Sequence, residues 1–557
     1  MASTNMKETT REARIEYTEK DLYSVNSGST GAPAAGIDAE VAQFFADQAQ
    51  EPVVIDEATN KRLRWMVHKR VLTVMVITYF AQTLDKGTLN FASIMGIIPD
   101  THLVGQQYAW LTTCVYIAIL LWEFPTNRLI QRLPVGRYLG FCISGWGLVL
   151  AMTAVCNNFT GLVIVRTLLG MLECVCQPAF VYLSTMYYTR AEQGLVIGAF
   201  YSMNGFQQCV GGLIGYGISQ IHGQALKNWQ ILFTLLGCLT FAWGLFVLWW
   251  LPDSPMRATC WSPEDRLLIA ERVRKNETGI QNREFKMHQA WEAFKDPTVW
   301  LVTLISFTNA LPTGGLGAFS NLILVAFGFT TLQTYLLAIA QGSIIMVFLF
   351  SATYLAKIYN QKLILAFIYT LPNVAGTIVF LTVPTTSHTK VGLLLAFYCM
   401  QGFGAVAVLN LAVMSNNVSL LCLLRRCYAD SQQVAGRTKQ VIASSLVFIA
   451  WALGNAVGPQ VFRANDAPRY IHAFIAHMVM YGVQMVAIFV LRLRLMRLNV
   501  LKRRAQALEP TTANGELEDE HIAHRQAFDD LTDMENKDFA SLLSHGYDRR
   551  QSHFNRT

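Results

Sequence analysis

A chain of 557 residues that is 53% hydrophobic and only 15% charged, with a mean hydropathy of +0.32, is too apolar for an ordinary soluble domain and needs lipid as a solvent. The formal net charge of +7 does not point to nucleic acid, because Lys and Arg gather in short runs beside apolar segments, as in KRLRWMVHKR (61–70) and LRLRLMRLNVLKRR (491–504). That is the pattern of basic flanks on the inner side of a membrane.

Residues 1–70 are polar and hold no apolar core long enough for a cleavable signal peptide; they are expected to form a disordered cytoplasmic tail. Apolar windows of about 20 residues then place six spans near 71–96, 107–130, 138–157, 161–188, 195–221 and 229–251. A hydrophilic connection at 252–297 follows, in which SPEDRLLIAERVRKN predicts a short surface helix with Ser262 as N-cap and Pro263 at its first position. Six more spans are expected near 298–327, 333–357, 362–383, 391–415, 438–461 and 471–496, before a second disordered tail at 498–557. Arg128, Arg132, Arg137, Arg190, the 252–296 block, Lys357, Lys362, Arg437 and Lys439 all fall on one side if both termini are cytoplasmic, whereas the opposite loops are poor in Lys and Arg. The expectation is an all-α membrane protein with twelve transmembrane helices in two six-helix bundles, 71–251 and 298–497, which is the plan of the major facilitator fold. Most of the eleven cysteines lie within apolar segments and read as small hydrophobes, not as a disulfide framework.

Ionisable residues inside lipid-spanning helices are costly unless paired or hydrated, so each is a functional candidate. Lys86 lies roughly 22 Å along the first span, just beyond the midplane. Tyr79, Gln82, Thr83 and Asn90 share its face, which is expected to line the solute path, while Asp85 is turned by about 100° and is free to pair elsewhere. The bland alternative for Lys86 is neutralisation by Asp85, which would merely lock the helix. In the fourth span Arg166 and Glu173 are seven residues apart, within about 20° on the helix. A guanidinium forks onto carboxylates, which makes Arg166 a candidate ligand for an anionic substrate. A desolvated carboxylate suits proton exchange, which makes Glu173 a candidate for coupling, with Asp85 and Glu123 behind it. An ion-pair network that only packs the helices is the competing reading. Tyr201, Asn204 and Gln208 form a polar stripe on the fifth span, and the second half offers neutral groups only, Asn309 among them.

Several blocks carry a family resemblance. LDKGTLNFASIMGI (84–97), EFPTNRLIQRLPVGRYLG (123–140), VRTLLGMLECVCQPAF (165–180), the connection LPDSPMRATCWSPEDRLLIAERVRKNETGIQNREFKMHQAWEAFKDPTVW (251–300), PTGGLGAFSNLILVAFGFTTLQT (312–334) and AGRTKQ with GNAVGPQVF (435–440, 454–462) resemble the fungal allantoate permease group of the anion:cation symporter family, within the major facilitators. The resemblance implies a transporter of small, usually anionic nutrients, commonly proton-coupled, and supports Arg166 and Glu173 as functional. The stretch 418–433 departs from it: deleting those residues restores SNNVAGRTKQ, and the segment reads as a retained intron, with codons able to supply donor, branch and acceptor sites, the alternative being a real cytoplasmic insertion.

No Walker A sequence, nucleophile triad or metal-binding cluster is found, so neither an enzyme nor ATP-driven transport is expected, and no cofactor. The fifth span also lacks the Gly-Pro pair of drug:proton antiporters. The expectation is proton-coupled uptake of a small organic anion across the plasma membrane by a monomer. Export of a metabolite, or nutrient sensing without transport, are the alternatives.

Overall fold

The computed structural model describes residues 55–274, apart from 222 and 224, then 287–417, apart from 360 and 387, and 437–508. A short helix α1 (Glu57–Val67) leads through the wider turn His68–Leu72 into α2 (Thr73–Ser93). The first half continues with α3 (Gln107–Ile130), α4 (Val135–Met152), the interrupted pair α5 (Phe159–Glu173) and α6 (Cys176–Tyr187), the pair α7 (Arg190–Tyr201) and α8 (Met203–Ser219), and α9 (Asn228–Trp250). The connection holds α10 (Pro263–Arg274) and α11 (Met287–Lys295). The second half comprises α12 (Pro297–Ala326), α13 (Thr331–Tyr359), α14 (Lys362–Thr382), the pair α15 (Lys390–Cys399) and α16 (Phe403–Asn417), α17 (Arg437–Val461) and α18 (Ile471–Leu508).

Among the described residues, ten helices are long and apolar enough to cross a membrane. The first and fifth expected spans are not among those ten, although both are helical. Helix α2 carries the charges of Asp85 and Lys86 among many polar residues, and α7–α8 is interrupted at Ser202, whose hydroxyl donates to the Ala199 carbonyl at 2.7 Å. Apolar side chains such as Leu121, Phe141, Trp249, Val347 and Val486 stand outward, as lipid contact requires.

Three local features depart from the sequence expectation. The first tail was expected to be disordered to residue 70, yet Glu57–Val67 is helical, because Leu63 and Val67, one turn apart, are buried while Glu57, Lys61, Arg62 and Arg64 are exposed. Arg62 pairs with Asp265 at 2.6 Å, and Arg272 binds both Asn60 and Glu192, so this helix is pinned to the connection. At the other end α18 runs to Leu508, past the expected boundary at 497; the sequence there has no Gly or Pro to stop it. The fourth span breaks at Cys174–Val175, four residues before Pro178, whose ring nitrogen cannot bond the Cys174 carbonyl. The Ser262 cap is present, its hydroxyl accepting from the Asp265 N–H at 3.2 Å. The proposed insertion 418–433 and most of both tails lie outside the described residues.

The halves meet along α8 and α13, α3 and α17, and α2 and α12. Gly205 and Gly342 make the first of these crossings possible: a Cβ on Gly205 would come 2.7 Å from the Gly342 carbonyl oxygen, and one on Gly342 would come 2.5 Å from that of Gly205. Polar contacts between halves gather at the end of the bundle opposite the termini. There Asn90 donates to Ser320 at 2.6 Å and accepts from the Asn321 N–H at 3.1 Å, Tyr108 donates to the Ala318 carbonyl at 2.8 Å, and Thr113 donates to the Ala456 carbonyl at 2.8 Å.

Candidate functional site

The row of polar residues on α2 meets α5 and α8 of its own half, and its far end, Asn90, meets α12 of the second. Lys86, with its side chain 27% exposed, lies 3.5 Å from a carboxylate oxygen of Glu173, which is wholly buried. At the break after α5, Gln82 donates to the Glu173 carbonyl at 3.0 Å. Glu173 thus meets α2 through both its carboxylate and its backbone, which ties the two helices together.

Asp85 points the other way, into the interior of the first half. One of its oxygens accepts from the Trp146 indole at 2.9 Å and from Thr240 at 3.3 Å, and the other has no hydrogen-bond partner. Lys86 is consequently not neutralised by its neighbour in sequence but by Glu173. Arg166 also lies in that interior, 2% exposed, its guanidinium 5.2 Å from the centroid of the Phe233 ring and two of its nitrogens without a hydrogen-bond partner. Arg166 and Glu173 share a helix but form no direct ion pair. A buried guanidinium and two buried carboxylates with unmatched atoms make a network of high electrostatic stakes, in which removing one charge leaves the others uncompensated.

Within the first half, Tyr79 accepts from Asn204 at 3.1 Å and its ring packs beside those of Phe180, Phe200 and Tyr201. Gln208 donates to Gln341 at 3.2 Å, so the polar stripe of the fifth span reaches the second half. Glu123 on α3 is half-buried, with one carboxylate oxygen unpartnered, and Tyr116 on the same helix meets Trp451 edge-on at 5.8 Å. Two expected residues stand apart from this group. Asn90 is spent on the closure against Ser320 and Asn321, and Asn309 is held within the second half, donating to the Phe403 carbonyl at 3.2 Å and accepting from Gln484 at 3.4 Å.

Trp146 and Thr240, the partners of Asp85, were not found from sequence; both sit in apolar spans and only the packing of α4 and α9 brings them to α2. His477 was missed as well. It is fully buried, both ring nitrogens lack partners, and Phe462, Phe474 and Tyr481 surround it. An ionisable residue inside the last apolar span was the available signal. Among the described residues no group of His, Cys, Asp and Glu is arranged to hold a metal.

A many-spanning helical protein, with two halves closed against each other at one end and charges lodged at their seam, has the build of a solute transporter. Residues 75–459 match the family model of the Major Facilitator Superfamily, and the chain belongs to that family. It is 32% identical over 502 residues to the "Thiamine pathway transporter THI73" of Saccharomyces cerevisiae, covering 90% of this chain and 88% of that one. It is 31% identical over 514 residues to the "Allantoate permease" of the same yeast, covering 90% of each. Among solved structures, a bacterial homologue of the human lysosomal transporter Spinster, in an inward-facing and occupied conformation, superposes with a TM-score of 0.56 at 15% identity, over 76% of this chain and 97% of that one. The protein is thus a multi-pass membrane transporter of the major facilitator fold.

Proposed function

We propose that this protein is a proton-coupled importer of small organic anions in the plasma membrane, crossing it twelve times with both termini in the cytoplasm and acting as a monomer. The observation that carries the reading is the contact of Lys86 with Glu173. A half-exposed cation at the seam, held by one buried carboxylate, has two competing partners: Glu173 and the carboxylate of a solute. Protonating Glu173 weakens its hold on Lys86 and frees that cation for the solute, so the anion and the proton enter together. Alternating access then carries both across, by opening the closed end and closing the other.

The geometry favours Lys86 over Arg166 as the group that grips the anion, because Arg166 is shut inside the first half. Arg166 is better suited to hold Asp85 and Glu173 in the charged state between cycles. The likeness to an allantoate permease supports an anionic solute, and the inner basic flanks support the orientation. The test is accumulation of labelled allantoate, ureidosuccinate, nicotinate and pantothenate in cells expressing the protein, with and without an inward proton gradient. Gradient-driven uptake of one of them is expected. Outward flux, or accumulation indifferent to the gradient, would sink the reading.

A further inference from the structure

Four glutamines form a hydrogen-bonded chain across the seam, and the chain has a direction. At one end Gln401, in the turn Met400–Gly402 between α15 and α16, donates to the Phe397 carbonyl at 3.1 Å. A backbone carbonyl can only accept, so the Gln401 amide must present its NH2 there and its oxygen towards Gln341. Gln341 donates to that oxygen at 3.2 Å and thereby offers its own oxygen to Gln208, which donates at 3.2 Å. The Gln208 oxygen faces the Gln207 nitrogen at 3.4 Å, and this same nitrogen donates to the Asn204 carbonyl at 3.2 Å. Two backbone carbonyls, one at each end, thus lock the orientation of every amide between them.

The locked chain terminates in one spare group, the side-chain oxygen of Gln207, which is screened from water and has no donor. A buried acceptor left unmatched costs about 1–3 kcal/mol. On α2 it lies beside Gly87, next to Lys86, where a Cβ would come 3.0 Å from the oxygen. Gln207 is otherwise half-buried at the seam, and the residue beside Gly87 is the cation that faces Glu173.

We propose that the Gln207 oxygen receives an N–H or O–H group of the transported anion, so that the protein selects carboxylates bearing such a donor over otherwise similar carboxylates that lack one. The inference rests on Lys86 as the anion's cation. One end of the solute replaces Glu173 on Lys86, and the other end supplies the donor that the chain of amides lacks. Because Gln208 and Gln341 belong to opposite halves, a solute that engages Gln207 also extends the hydrogen-bonded link between them.

The test uses matched pairs that differ in one donor: N-acetylglycine against O-acetylglycolate, and the next two longer homologues of each, as labelled solutes taken up by proteoliposomes with the full chain under a fixed proton gradient. In at least one pair the amide is expected to be carried about tenfold faster than the ester at low concentration, since a site built for a donor penalises its absence. Gln207→Met is expected to lower that ratio towards one, and Gly87→Ala, which crowds the oxygen, to lower it as well. Esters carried as fast as amides in every pair by the parent protein overturn the proposal, whether or not any variant folds. So does a Gln207→Met protein that inserts and keeps the parent's ratio. Lys86→Gln separates the two readings: it is expected to slow amide and ester alike. If no member of any pair is carried by the parent, the organic-anion reading fails and this proposal falls with it.

Discussion

The two halves solve the problem of polar groups inside a membrane in opposite ways. The first half buries charges: Asp85, Arg166 and Glu173 are almost wholly shielded, with Lys86 at their edge. The second half buries neutral amides, in Asn309, Gln401, Asn410 and Gln484, and one imidazole without a partner, His477. Charges are costly to desolvate but can be switched by a proton, whereas amides are cheap to satisfy and cannot. The comparison teaches that the charges a proton could switch on the proposed mechanism are buried in the first half, against a second half that meets them with neutral amides.

The largest effect that would sharpen this contrast is expected from Glu173→Gln. The variant keeps the side-chain size and loses the titratable group, so pH-driven accumulation should vanish while exchange of internal for external solute persists. A variant that accumulates solute like the parent would break the assignment and move coupling to Asp85 or Glu123.

The second comparison lies within the first half. Lys86→Arg and Arg166→Lys exchange the two cation types, and the half-exposed position should set solute affinity. Lys86→Arg should shift the apparent affinity for the anion by roughly tenfold, whereas Arg166→Lys should leave affinity near that of the parent and lower the thermal stability of the purified protein. The reverse pattern, with affinity lost only in Arg166→Lys, would return the anion to Arg166.

A charged cluster at the termini's end of the second half provides a control outside the seam. Lys439 lies 2.9 Å from both Glu292 and Asp296, and Arg494 reaches Asp296 at 3.2 Å. Burial pushes the Asp296 carboxyl up, but Lys439 and the N–H and hydroxyl of Thr298 outweigh it and hold it below the usual carboxylate range. A lowered native value means that Asp296 contributes stability at neutral pH and loses it as pH falls through the carboxylate range and below. Lys439→Ala should destabilise the protein by about 3 kcal/mol, measured by thermal unfolding, with little change in the proton dependence of transport.

The smallest effect is expected from His477→Phe. The ring volume is retained and two unmatched nitrogens are removed, so uptake and its pH profile should persist and the unfolding temperature should stay level or rise slightly. A lost proton dependence in this variant would show that the second half also titrates, and the contrast between the halves would fail.

Much of this architecture was legible in the sequence because its causes are local. Apolar runs long enough to cross lipid, basic residues flanking alternate ends, the Ser262-Pro263 helix start and the scarcity of charge within spans all act over one or two helical turns, and the helices appear where those signals stand. Even the break in the fourth span follows from Pro178. The limits were local too: a hydropathy window sees α1 as a polar tail, because Leu63 and Val67 count only once the connection folds over them.

What only the tertiary structure decided is who meets whom. By itself the sequence determined that Asp85, Lys86, Arg166 and Glu173 are buried in a membrane protein and face roughly known sides of their helices. That Asp85 turns to Trp146, that Lys86 takes Glu173, that Arg166 is sealed inside, and that Asn90 and Asn309 are spent on packing depend on contacts 61 to 231 residues apart. A helix constrains its own faces through bonds three and four residues long, but a side chain's partner is set by the rotation and depth of another helix. Those are fixed jointly by close contacts such as Gly205 against Gly342, which no single segment encodes.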